Sequence, residues 1–173
     1  MIVRTTLSIL ACLAAAGIVQ AQEIAQPGPE HKELKKLEGT WDAVFEMQGQ
    51  KSKAEAVYKS ICGGMWMASD FKGEIFGLPY SGHGLDGYDQ RKKKYVGIWV
   101  QSMESAPMHY EGTRDDQGVL TMTGTSHGPD GKPQKFKNTT AWKDDDHFTF
   151  KMFMVDADGK DQLAFTIEYT RRK

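Results

Sequence analysis

Apolar and polar residues alternate along most of the chain. In GTWDAVFEM, every second residue from Trp41 to Met47 is apolar, while Asp42 and Glu46 occupy intervening positions. A period of two is typical of a strand with one buried face. Similar short segments, rich in aromatic and β-branched residues, recur to the C-terminus and bring the prediction to about ten strands. They are KAEAVYKSIC, MWMASDF, YSGHGLDGYD, KKYVGIWVQS, MHYEGTR, VLTMTGT, FKNTTAW, HFTFKMFMV and QLAFTIEYT.

A helical pattern occurs near the N-terminal end of these segments. In PEHKELKKLEG, Pro29 precedes Leu34 and Leu37, and Gly39 ends the run. Proline at the start and glycine at the end predict one short helix. Residues 22–29 contain two prolines and a glycine without an apolar period, so they are predicted to form a flexible lead-in.

The connections between the predicted strands are only a few residues long and contain no helical crossover. Short connections join neighbouring strands of antiparallel sheets. A long open sheet has two exposed edges, and closure into a barrel removes them. The predicted fold is all-β: an antiparallel meander of about ten strands closed into a lipocalin-like barrel, with one short N-terminal helix. Residues 30–173 are predicted to form this single domain.

The segment YSGHGLDGYD contains the spacing G-x-G-x-x-G at Gly82, Gly84 and Gly87. A dinucleotide-binding fingerprint needs a helix directly after these glycines. Here Tyr88 and Asp89 lead through a charged turn into another predicted strand. We therefore interpret the segment as a strand whose glycines allow another backbone or a bulky side chain to approach closely.

The first 21 residues have the composition of a secretory signal peptide. Arg4 precedes the uncharged run LSILACLAAAGIV, and Val19, Gln20 and Ala21 follow at the usual cleavage spacing. The prediction is an exported protein, periplasmic or secreted, with no stable membrane insertion after cleavage at Ala21. A transmembrane segment is the alternative, but the apolar run is short for a span.

The net charge and the number of cysteines limit which partners the protein can bind and which disulfide bonds it can form. The chain has a formal net charge of -1, and removal of Arg4 with residues 1–21 changes it to -2. This near-balance gives no electrostatic basis for nucleic-acid binding. Cleavage would also leave Cys62 without a disulfide partner, and its neighbours Ile61 and Met65 predict that its side chain is buried.

The segment LEGTW, ending at Trp41, resembles the G-x-W motif that opens lipocalins and related calycin barrels. The resemblance implies that Trp41 lies at the closed end of the barrel, under an arginine from the end of the last strand. Arg171 and Arg172 both match that position. Alternation favours Arg171, which shares a strand face with Tyr169. Trp41 and Arg171 are therefore predicted to be structural.

A longer resemblance rests on three further motifs. They are the G-x-G-x-x-G-Y-D described above, the Y-x-x-x-W of Tyr95 and Trp99, and the E-G-x-x-D that starts at Glu111. Together they make the chain, from about His31 to Arg172, similar to the bacterial domain-of-unknown-function family 1579. The resemblance implies a calycin-like barrel, and it implies no particular reaction because the family has no settled activity.

Aromatic residues are dispersed over successive predicted strands. A barrel of about ten strands is wider than side chains alone fill, which favours an internal cavity. The predicted function is an exported lipocalin-like barrel that binds a small, largely apolar ligand, without a cofactor. The predicted wall residues are Tyr80, His83, Tyr88, Trp99 and Gln101.

Two alternatives remain open from the sequence. In the first, the cavity is an enzyme active site, with His83 or His109 and Asp86 or Glu111 as weak candidates for acid–base catalysis. No nucleophile or metal-binding motif supports it, so catalysis and a metal site are not favoured. In the second, the core is filled and the outer surface binds another macromolecule. The sequence assigns no oligomeric state.

Overall fold

The computed structural model describes residues 24–128 and 131–173. The predicted signal peptide lies outside the described residues, as do residues 22 and 23 of the predicted lead-in. The described residues form one helix, α1 (Pro29–Lys35), and the strands β1 (Gly39–Met47), β2 (Gln50–Ile61), β3 (Trp66–Ile75), β4 (Leu78–Asp89), β5 (Lys94–Gln101), β6 (Glu104–Arg114), β7 (Leu120–His127), β8 (Pro133–Asp144), β9 (His147–Val155) and β10 (Asp161–Arg171).

The ten strands form one closed barrel in which each strand pairs antiparallel with its neighbours in sequence. The first and last strands close it, with Trp41 opposite Arg171 and Phe45 opposite Ile167. The predicted fold class is therefore confirmed. Closure leaves no unpaired edge in the sheet, because β1 and β10 hydrogen-bond to each other.

Tight turns join consecutive strands. Gln48 and Gly49 connect β1 to β2, and both have positive φ angles, 51° and 77°. Phe76 and Gly77 connect β3 to β4 in the same way, with φ angles of 53° and 76°. Two-residue turns of this kind have a twist that matches the twist of the paired strands. They fix the register of both hairpins.

Alternation sends one face of each strand inward. On β1, Trp41, Ala43 and Phe45 are buried and the residues between them are exposed. The tightest aromatic packing lies where β1 begins: the Phe148 ring stacks on Tyr169 at 4.2 Å between centroids and meets Trp41 edge-on at 4.8 Å. This packing fills one end of the barrel.

The helix α1 lies across the same end, which we call the helix end; the opposite end, where β1 stops at Met47, is the far end. Leu34 of the helix is buried and packs with Tyr95, Leu120 and Met122. A two-turn helix has little stability alone, so this contact holds it. In the described part of the chain, no helix is long and apolar enough to cross a membrane.

The glycines of β4 make room for two tryptophans. A Cβ on Gly82 would overlap the indole ring of Trp99, and one on Gly84 would lie 3.0 Å from it. On the opposite face, a Cβ on Gly87 would lie 2.7 Å from the ring of Trp66. The motif thus marks positions where bulky side chains cross the strand closely, in agreement with the interpretation from the sequence.

The prediction for Cys62 was wrong. The cysteine is exposed and has a positive φ angle of 52°. It begins a turn of 3-10 helix, Cys62–Gly64, directly after β2 ends at Ile61. Its apolar neighbours suggested a strand interior, but the chain has already left the sheet at this position.

Candidate functional site

Three of the predicted wall residues form one hydrogen-bonded group on the inner face near the far end. Register places Gln101 opposite Gly82 and Trp99 opposite Gly84 on the β4–β5 pair. The Tyr80 hydroxyl donates to Oε1 of Gln101 at 2.7 Å and accepts from Nε1 of Trp99 at 3.2 Å. Burial raises the pKa of Tyr80, so its hydroxyl stays protonated and available as a donor.

Tyr88 also faces inward but lies far from this group. It is eight residues from Tyr80 on β4, which corresponds to about 26 Å along a strand. Its ring meets Tyr95 at 5.1 Å and His31 of the helix at 6.0 Å between centroids. Tyr88 therefore packs beneath α1 at the helix end and does not share a wall with Tyr80.

His83 is a correction to the predicted wall. It lies between the inward-facing Gly82 and Gly84, so its side chain is on the outer face. There its Nδ1 is 2.5 Å from Oδ1 of Asp70, and both side chains are 58% exposed. The pair is a surface contact, because odd and even positions of one strand point to opposite sides.

The predicted catalytic candidates do not converge. His109 is exposed on β6, and Glu111 lies on the same outer face. The ammonium groups of Lys94 and Lys92 bind Glu111 at 2.5 and 3.1 Å and hold the pKa of its carboxyl below the usual range. Asp86 is the one candidate that faces the interior. The structure therefore contains no histidine–carboxylate pair from this set inside the barrel.

Asp86 faces the interior between Gly97 and Tyr110. Its Oδ1 accepts a hydrogen bond from the Tyr110 hydroxyl at 3.1 Å. Gly97, opposite Asp86 on β5, leaves space for both side chains, since a Cβ there would overlap Tyr110 and lie 2.6 Å from Oδ1. Burial raises the pKa of Asp86 to about 6, while the Tyr110 hydrogen bond acts in the opposite direction. The carboxyl is therefore mostly protonated at pH values well below 6 and mostly ionised at pH values well above 6.

Two further inward-facing tyrosines were not singled out from the sequence. They are Tyr58 of β2, which lies near Asp86, and Tyr169 of β10, which lies next to Tyr58. Burial and then the charge of Asp86 raise the pKa of Tyr58. The signal was available, because Tyr58 continues the alternation of Ala54 and Ala56 on β2. Away from the strand ends, the inward positions of the described strands carry no carboxylate besides Asp86.

Inward-facing residues differ in how far they are buried. Several of them, on five strands, are only partly buried, whereas Trp41 and Tyr169 at the helix end are buried. Because a barrel of ten strands is wider than side chains alone fill, we interpret this partial burial as space left inside the barrel. These partly buried inward residues are Tyr58, Asp86, Trp99, Met108, Tyr110, Phe150 and Met152.

Trp41 and Arg171 meet at the helix end. The Arg171 guanidinium carbon lies 4.1 Å from the centroid of the Trp41 ring. Arg171 donates to the main-chain carbonyls of Lys36 and Glu38, each at 2.7 Å, and Trp41 Nε1 donates to the carbonyl of Leu37 at 2.7 Å. The arginine thus ties the last strand to the segment that follows α1 and covers the tryptophan.

Other parts of the described chain contain fewer groups that could bind a metal ion or an apolar ligand. Within residues 24–128 and 131–173, no three His, Cys, Asp or Glu side chains come together to hold a metal ion. A surface groove of about 600 Å³ lies between the β7–β8 and β9–β10 turns, next to Pro133 and Val155. Among the described residues, no aromatic side chain lines it. The barrel interior is therefore the candidate binding site.

Comparison with known proteins supports the fold. The family model described as "Protein of unknown function (DUF1579)" matches residues 26–171. The crystal structure of Rv2717c from M. tuberculosis is 15% identical, with 84% of this chain and 99% of that chain covered and a TM-score of 0.61. The S-type phycobiliprotein lyase CPES from Guillardia theta is 9% identical, with 83% and 93% covered and a TM-score of 0.54. A comparison with curated proteins gave no significant match. At these identities the structural likeness establishes the barrel fold alone.

Proposed function

Because the chain belongs to the DUF1579 family, whose description assigns no function, we propose from its own residues that the barrel binds a small, largely apolar ligand in its interior. The observation that carries this proposal is that the inward-facing residues Trp99, Met108, Phe150 and Met152 are only partly buried inside a wide barrel. A ligand that covers apolar surface of these residues gains about 25 cal/mol for each Å² removed from water. Aromatic and thioether side chains suit a planar or flexible apolar molecule.

A few polar groups would orient the ligand. Tyr80, Trp99 and Gln101 already hold one another through two hydrogen bonds, so their positions are fixed before binding. Gln101 uses its oxygen for Tyr80 and still carries an amide nitrogen with two donor hydrogens. A mostly apolar wall with a small number of fixed polar atoms is typical of small-molecule sites.

The same observations weigh against the cavity enzyme. Acid–base catalysis needs groups within hydrogen-bond reach of one another and of the substrate. His83 is paired with Asp70 outside the barrel, and His109 is exposed on the outer face. Asp86 alone remains inside, which suits binding better than a two-group mechanism.

We also propose that binding takes place outside the cytoplasm. This follows from the composition of residues 1–21, with a cleavage site predicted after Ala21. Sequencing the N-terminus of the protein recovered from its host tests it. A chain that begins at Gln22 in an exported fraction supports the proposal, and an intact Met1 in the cytoplasmic fraction contradicts it.

Interior binding can be tested with the neutral fluorescent probe N-phenyl-1-naphthylamine. Met108→Trp adds volume inside the barrel beside Trp99, whereas Met103→Trp makes the same change at a position that is 53% exposed. We expect saturable binding to the unmodified protein, an affinity at least about tenfold lower in Met108→Trp, and no change in Met103→Trp. If Met108→Trp does not fold, Met108→Phe makes the test with less added volume. No saturable binding, or equal effects of the inner and outer variants, would refute the proposal.

A further inference from the structure

We propose that the ligand of this barrel carries a protonated amine, which binds the carboxylate of Asp86 between the rings of Tyr58 and Tyr110. This inference rests on the proposed binding in the interior and names the head group that the interior selects. The apolar part of the ligand would then lie against Trp99.

Asp86 has no cationic partner among the described residues. On the outer face, Glu111 meets two lysines and Asp161 meets Lys137. Inside, the only hydrogen bond to the Asp86 side chain found in the described residues comes from the neutral Tyr110 hydroxyl. The groups that face or adjoin it from the surrounding strands are also uncharged at neutral pH. They are Tyr58 from β2, Met67 and Ser69 from β3, Gly97 from β5 and Tyr110 from β6, and Tyr169 of β10, next to Tyr58, is uncharged as well.

The inward-facing cations are engaged elsewhere. Arg171 lies over Trp41 and bonds main-chain carbonyls at the helix end. Arg114 donates to the carbonyl of Gly118 at 2.6 Å and lies over the ring of Tyr95. A carboxylate inside a protein without a counter-ion is unfavourable, and a ligand that supplies the counter-ion removes that cost.

Aromatic rings lie beside the carboxylate of Asp86. Tyr58 and Tyr110 both face inward, and burial and then the charge of Asp86 raise the pKa of each. The face of a tyrosine ring attracts a cation, so an ammonium group beside Asp86 meets favourable partners on several sides. A ligand carboxylate would instead meet a like charge. The site therefore discriminates by charge as well as by size.

The spacing between Asp86 and the ring of Trp99 limits the size of the ligand. Gly84, which lies beneath Trp99, is two residues from Asp86 on the same face of β4. That spacing is about 7 Å along a strand. An aromatic ring one or two bonds from a primary amine spans this distance. The inferred class is a small arylalkyl amine.

The experiment uses three probes with one ring system and different head groups. They are 1-naphthylmethylamine, 1-naphthalenemethanol and 1-naphthoic acid, titrated into the full chain at pH 7.5 by calorimetry. We expect the amine to bind at least about tenfold more tightly than the alcohol, because a charged hydrogen bond replaces a neutral one. The acid should bind more weakly than both. Asp86→Asn should lower the amine affinity to about that of the alcohol, while Asp116→Asn, in the exposed β6–β7 turn, should leave the order unchanged.

A pH series on the unmodified protein gives a second measurement that needs no variant. The carboxyl of Asp86 becomes protonated below its pKa of about 6, so the amine should bind more weakly at pH 5 than at pH 7.5. The neutral alcohol should change little over the same range. This comparison holds even if Asp86→Asn fails to fold.

The outcomes separate the two proposals. If none of the three probes binds, the proposed interior binding itself fails for molecules of this size. If the alcohol binds as well as the amine, or the amine preference survives in folded Asp86→Asn, interior binding stands and the amine inference is overturned. Tighter binding of the acid would also overturn the inference, since it would require a cation in the site.

Discussion

Asp86 should make the barrel less stable as the pH rises toward neutrality. Its carboxyl faces the interior, and the only side-chain donor that reaches it among the described residues is the Tyr110 hydroxyl. The substitution Asp86→Asn keeps a side-chain oxygen that can accept this hydrogen bond but removes the charge. It therefore abolishes the titration and changes little else.

The magnitude follows from the two states of the carboxyl group. Its pKa is about 6 in the folded protein, against an ordinary value of 3.8 for an unfolded chain. The folded state binds the proton more tightly, so its stabilising effect is complete below the unfolded pKa and is lost as the pH passes through the folded pKa. The difference of about two pH units corresponds to about 3 kcal/mol in the free energy of unfolding.

Urea denaturation at pH 4, 5, 6 and 7.5 measures this directly. We expect Asp86→Asn and the unmodified protein to differ little at pH 4, and the variant to be more stable by up to about 3 kcal/mol at pH 7.5. Asp116→Asn changes an exposed turn residue and should show no such trend. A difference between Asp86→Asn and the parent that is the same at pH 4 and pH 7.5 would refute the reasoning, because Asp86 would then titrate alike in both states.

Two matched pairs of substitutions test the packing that shapes the barrel. Arg171→Ala should lower the free energy of unfolding by about 3 kcal/mol, because charged hydrogen bonds to main-chain carbonyls and contact with a buried indole ring are lost. Arg172→Ala removes only exposed ion pairs and should cost far less. Gly112→Ala should cost at least about 2 kcal/mol, since its Cβ would overlap the main chain of β7. Gly87→Ala should cost less, because its Cβ meets only the partly exposed indole ring of Trp66, which can shift. Thermal and urea denaturation measure the stability of all four variants. Equal losses of stability within either pair would contradict these assignments.

The strands and the closure of the barrel could be predicted because their causes are local. A period of two, short turns and the absence of crossover helices are all visible in the sequence, and together they specify an antiparallel meander. Part of the wall was also within reach of local reasoning. Tyr80 and His83 are an even and an odd position of one strand, so alternation alone separates them. Grouping them by proximity in sequence caused the error.

The grouping of side chains across strands could not be predicted in this way. Asp86 meets Tyr110 only because Gly97 stands opposite both on the strand between them. That register depends on turn lengths and on an irregularity between Trp99 and Gln101, and no local pattern specifies either. The exposure of Cys62 likewise depends on the residue at which β2 ends, and no local pattern specifies that residue.

The interior owes its shape as much to missing side chains as to those present. Without Cβ atoms, Gly82 and Gly84 allow Trp99 to lie flat across β4, and Gly97 allows Asp86 and Tyr110 to meet. A larger residue at any of the three would displace an aromatic ring or the carboxylate. Two glycines of the motif that resembles a nucleotide-binding fingerprint, Gly82 and Gly84, therefore position Trp99, and Gly97 on the neighbouring strand positions Asp86 and Tyr110. The space that these three glycines leave open lies on the inner face, where the proposed ligand would bind.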